Sequence, residues 1–264
     1  MPSIVWGRDP QEAYEEPYEY AAHEQFAREA AALLGQLYRL LNPRNRRHTC
    51  DDRTQAKAVW LLAMDGLDSL RESLAALGRK EHRTAGKLFR DVMESMDLAA
   101  YFSEPHEKNK QALARWYKNE HVPHREYRDR FRQIHGEVAA KELAAHYHTL
   151  SRFTHRSYAA ILEGYTIGAG SRLVHDRTDE TYEPRDRSNL MLVPPQTIAA
   201  YYAALASFIV EYAEGLIVVG LVDAKGVRAA FESSLEAATV GRRFMPRRWL
   251  LQRAVAKQPP NTTH

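Results

Sequence analysis

The stretch Tyr147–Tyr158, YHTLSRFTHRSY, decides the fold when it is read against Lys87–Phe102, KLFRDVMESMDLAAYF. On an ideal helix His148, Ser151 and His155 sit at i, i+3 and i+7 and share one face. Arg90, Glu94, Asp97 and Tyr101 share one face of the earlier segment. Both flanks of that row are apolar, with Leu88, Val92 and Ala99 on one side and Phe89, Met93, Met96 and Ala100 on the other. So narrow a polar row implies an otherwise buried helix, in which each polar group needs a partner or costs roughly 1–3 kcal/mol. The two rows are therefore expected to face each other, with Arg90, Glu94 and His155 within hydrogen-bonding reach.

Helical periodicity extends outward from this pair. A first helix is expected from Pro17 to Leu41, where Asn42-Pro43 stops it. A second follows the polar connector Pro43–Asp52, capped by Asp51 or Asp52. Its stripe of Ala56, Val59, Ala63, Leu67, Leu70, Leu74 and Leu77 ends at Gly78. Pro105 and Pro123 open two more helices, anchored by Leu113, Trp116 and Tyr117 and by Tyr127, Phe131 and Ile134. Gly136 separates the latter from the His148–His155 segment. Ser151 fits either mid-helix or as an N-cap.

Gly168–Pro195 breaks the period. Leu173-Val174 and Leu190–Val193 read as two short strands of a hairpin. Ile198–Val222 is apolar enough in length to span a bilayer, but Glu211 and Glu214 sit in its middle, so a buried central helix is expected. Lys225–Ala238 reads as the last helix. The resulting fold class is all-α, a multi-helix antiparallel bundle with a small β-hairpin insertion near residues 170–193. Residues 1–16 form an N-terminal arm, 17–240 the bundle and 241–264 a basic, partly disordered tail.

Composition narrows the classes. The chain has 264 residues, 44% hydrophobic and 27% charged, with a formal charge of +3, values of an ordinary globular protein. One cysteine, Cys50, excludes an internal disulfide framework and fits a reducing, cytoplasmic setting. The beginning MPSIVWGRDPQEAYEE has no apolar core of a signal peptide.

Several chemistries lack their motifs. No Glu-x-x-His, no cysteine pair and no His-Glu-x-x-His is present, so no metal is expected; a mixed Glu94, His148 and His155 site is the remaining arrangement. Phosphate loops and the G-x-S-x-G elbow are absent, and no cofactor is implied. The polar rows support two readings. In one, His148 and His155 act in acid–base or ligand roles while Glu94 or Asp97 fixes a tautomer and Arg90 holds an anion. In the other, the network only locks two helices in register. The tail GRRFMPRRWLLQRAVAK, with Arg242, Arg243, Arg247 and Arg248 among aromatic and apolar residues, suits either a phosphate backbone or a docked terminal helix.

R-x-x-x-E at Arg90 and Glu94, followed by L-S-x-x-x-H at Leu150, Ser151 and His155, resembles a group of uncharacterised bacterial helical proteins related to HEPN-like and abortive-infection proteins. The resemblance covers roughly Lys57–Tyr165. It implies a stress- or phage-defence-type role and a homo-oligomer. HEPN ribonucleases carry an Arg and a His separated by four to six residues, so it further implies Arg128 and His135 (Arg128-x6-His135) as a metal-independent catalytic pair, with Arg130-x4-His135 a second match in spacing. Two functions are thus carried forward: a helical protein acting by self-association or partner binding, and an RNA-cleaving enzyme. Neither involves a membrane, and the sequence names no small-molecule ligand.

Overall fold

The computed structural model describes residues 19–42, 48–79, 81–156, 158, 161, 165–168, 172–175 and 195–232. These form seven helices: α1 (Glu19–Leu41), α2 (Gln55–Gly78), α3 (His82–Ser103), α4 (Glu107–Trp116), α5 (His124–Thr154), α6 (Pro195–Val218) and α7 (Ala224–Glu232). The molecule is all-α in its core. α2 and α3 make the most extensive pairing, and α3 also packs on α5 and α6.

Thr54, rather than Asp51 or Asp52, caps α2: its hydroxyl accepts from the Lys57 N–H at 3.2 Å. Asp52 serves the preceding turn, accepting from the Thr49 N–H at 2.8 Å. The stripe that follows buries Val59, Ala63, Leu67 and Leu70, as helical periodicity requires. α2 and α3 then fold back on each other across a short connection, which burial of one apolar face on each helix drives.

α6 is the central element. Leu205, Ala206, Ile209, Ala213 and Leu216 are fully enclosed, and the Tyr212 hydroxyl donates to the Ala63 carbonyl at 2.7 Å. Among the described residues no helix is long and apolar enough to cross a membrane. The buried-helix expectation for Ile198–Val222 therefore agrees with its place in the core.

α5 is 31 residues long and breaks at Gly136, where φ is 81° and ψ 174°. That backbone conformation is essentially restricted to glycine. Ser151 lies within the helix, its carbonyl bonded by the His155 N–H at 3.2 Å, so it is not an N-cap.

The expected hairpin is not supported as drawn. β1 (Tyr165–Gly168) pairs antiparallel with β2 (Arg172–His175), setting Leu173 and Val174 opposite Ile167 and Thr166. This ribbon begins before residue 170, and Leu190–Val193 lie outside the described residues. The arm 1–16 and the tail 241–264, with Arg242, Arg243, Arg247 and Arg248, lie outside them as well.

Candidate functional site

The polar row of α3 does meet α5, through different residues from those expected. Arg90 Nε donates to Glu94 Oε1 at 2.5 Å along α3, and Arg90 Nη1 donates to Thr154 Oγ1 at 3.1 Å on α5. Asp97 accepts from the Tyr147 hydroxyl at 2.9 Å. His155 does not join them as expected. It is exposed at the helix end with ψ 152°, and its carbonyl accepts from Arg83 Nη2 at 3.1 Å. His148 is exposed too, and Ser151 is half-buried.

The histidine of the cluster is His124, the first residue of α5. Pro123 precedes it with φ −62°, which sets the entry into the helix. His124 Nε2 lies 3.6 Å from Glu94 Oε1, and its Nδ1 hydrogen-bonds the Tyr127 hydroxyl one turn on. The Tyr147 ring stands edge-on to the imidazole at 6.0 Å between centroids. A continuous path of polar groups thus runs from Thr154 through Arg90, Glu94 and His124 to Tyr127, with Tyr147–Asp97 beside it.

Burial governs the protonation of this cluster. Desolvation holds the His124 imidazole below its ordinary value, outweighing the upward pull of Glu94, and Arg128, Arg90 and His121 push the same way as burial. Tyr127 and Tyr147 are raised, first by burial and then by the Asp97 charge. At neutral pH the cluster therefore holds a neutral imidazole and two neutral phenols.

Glu94, His124 and Tyr127 also form part of the wall of a cavity of about 740 Å³. Its other walls come from Arg53, Lys57, Leu61 and Leu62 around the start of α2, Ser95 and Leu98 on α3, and Trp116, Tyr117, Asn119, Glu120, His121 and Val122 from the end of α4 to the start of α5. That volume lies in the range of small-molecule sites. Two of its cations are already engaged. Lys57 Nζ donates to the carbonyls of Thr49, Cys50 and Asp52 at 2.6, 2.9 and 3.0 Å. Arg53 Nη1 donates to the Cys50 and Asp52 carbonyls while its guanidinium stacks 5.4 Å from the Tyr117 ring centroid.

The residues that the HEPN resemblance implies do not converge on this cavity. Arg128 lies over the Tyr147 ring at 4.2 Å, with its Nε buried and lacking a hydrogen-bond partner among the described residues. Arg130 Nε donates to Glu104 Oε2 at 2.9 Å. His135 is half-buried, its ring 4.6 Å from that of Phe131. Among the described residues no group of three or more His, Cys, Asp or Glu side chains could hold a metal ion.

Sequence reasoning placed Tyr127 among the apolar anchors of its helix and passed over His124. A hydroxyl at the end of an aromatic ring is invisible to a count of apolar positions. The Pro123-His124 helix start was the available signal. No known protein family, curated protein or solved structure matches the chain.

Proposed function

We propose that the protein is a helical binding protein whose site is the cavity between α2, α3 and the Trp116–His124 segment, with His124 its polar centre. The observation that carries this reading is the placement of the His124 imidazole, hydrogen-bonded through Nδ1 to Tyr127 and with Nε2 3.6 Å from Glu94, in the wall of an open cavity of about 740 Å³. Apolar side chains (Leu61, Leu62, Leu98, Val122) and the rings of Trp116 and Tyr117 give a ligand area to bury, and the half-buried Glu94 and His124 can orient it. Arg90, Glu94, Asp97, Tyr127 and Tyr147 support the imidazole and join α3 to α5. A stress- or defence-type cytoplasmic role exerted through a homo-oligomer, as the resemblance implies, is compatible with such a module.

The test is a ligand-observed NMR screen of small ring compounds on the full chain and on Leu61→Trp, which fills the mouth at a partly exposed position. Binding that Leu61→Trp abolishes supports the site. Binding unaffected by it, or none at all, refutes the reading.

A ribonuclease using Arg128 and His135 remains the second reading, favoured by the unpartnered Arg128 Nε. Arg130 and His135 work against it, since each is held by a different neighbour. Incubation of the chain with mixed RNA in the presence of chelator tests it: cleavage lost in His135→Ala would favour the enzyme over the binding protein.

A further inference from the structure

The wall of the cavity carries exposed polar groups at its rim, Arg53, Asn119, Glu120 and His121, and one half-buried pair, Glu94 and His124. Lys57 Nζ spends its three hydrogens on three carbonyls, and Arg53 Nη1 donates to two of the same carbonyls. Ser95 donates to Asp65 Oδ2 at 2.5 Å. Away from the rim, His124 Nε2 and Glu94 lie 3.6 Å apart, a gap too long for a good hydrogen bond.

The tautomer follows from what faces each nitrogen. Glu94, paired with Arg90, presents a carboxylate to Nε2. A lone pair there would repel it, whereas an N–H is attracted. The proton therefore sits on Nε2, and Nδ1 accepts from the Tyr127 hydroxyl. The wall thus offers a donor, Nε2–H, and an acceptor, the Glu94 carboxylate, side by side.

One neutral group answers both. A hydroxyl accepts from Nε2–H through its oxygen and donates its hydrogen to Glu94, and a primary carboxamide does so with its C=O and NH₂. A carboxylate has no hydrogen for Glu94 and would meet its charge. An ammonium has no lone pair for Nε2–H. We propose that the cavity binds a compact neutral molecule with an apolar ring and a hydroxyl or primary carboxamide, the polar end held between His124 and Glu94. The ring lies against Leu61, Leu98 and Trp116. The proposal rests on the cavity being the binding site.

The experiment compares benzyl alcohol, benzamide, benzoate and benzylammonium by ligand-observed NMR on the full chain, then on Leu61→Trp and His124→Phe. The expected result is that the two neutral compounds bind about tenfold more tightly than either ion. Leu61→Trp should abolish that binding, and His124→Phe should erase the preference. The comparison on the unaltered chain needs no variant to fold. If an ion binds as well as the neutral compounds and Leu61→Trp still removes it, the cavity stands and the ligand class is wrong. If none binds, or Leu61→Trp changes nothing, both fail.

Discussion

At the scale of single residues the site depends on which side of α5 faces α3. Tyr147 and Thr154 face it, one position before the expected His148 and His155. A shift of one residue rotates a helical face by about 100°, enough to turn both histidines outward. The helix also ends at Thr154, so His155 takes extended backbone and leaves the wheel on which its spacing was counted. Two outcomes follow for urea melts. Tyr147→Phe removes the hydrogen bond to the Asp97 carboxylate inside the core and should cost about 1–3 kcal/mol. His155→Ala, at an exposed side chain, should stay within about 0.5 kcal/mol. The Arg90–Glu94 pair was legible because i, i+4 contacts are local. The His124–Glu94 contact was not, because Glu94 comes from another helix.

At the scale of elements, glycines mark where helices approach or break. A Cβ on Gly86 would lie 2.5 Å from the Phe153 ring, so α3 meets the end of α5 only because that position is bare. Gly86→Ala should therefore destabilise by about 1–3 kcal/mol through overpacking. Gly136→Ala should cost a similar amount for a different reason, its positive φ. The break at Gly136 was readable in the sequence, since glycine interrupts a helical period visibly. The tight contact at Gly86 was not, because its cause lies about seventy positions away along the chain.

At the scale of the whole molecule, helix type, the apolar stripe of α2 and the central place of α6 follow from periodicity and composition. The cavity follows from neither, because its walls come from three separate stretches of chain. The same distinction governs pH behaviour. Glu214, on the central helix, is pushed up to about 7 from an ordinary value of 4.5, by burial first and by Glu211 second. The folded chain then holds this proton more tightly than the unfolded chain. Its contribution is fully present below the unfolded pKa and lost as pH rises from about 4.5 through about 7. Partial solvent access reduces the size to on the order of 1–2 kcal/mol. Urea melts between pH 4 and 8 should show that loss, and Glu214→Gln should flatten it.

His124 carries the opposite sign. With its folded value lowered, its contribution is present above the ordinary 6.5 and is lost as pH falls through the folded value. The most direct measurement is a pH titration of the His124 ring by nitrogen-detected NMR, which reads both its pKa and its tautomer. A midpoint below 6.5 with the proton on Nε2 in the neutral form is the expected result. A midpoint at or above 6.5, or a neutral form protonated on Nδ1, would contradict a half-buried neutral imidazole held between Glu94 and Tyr127.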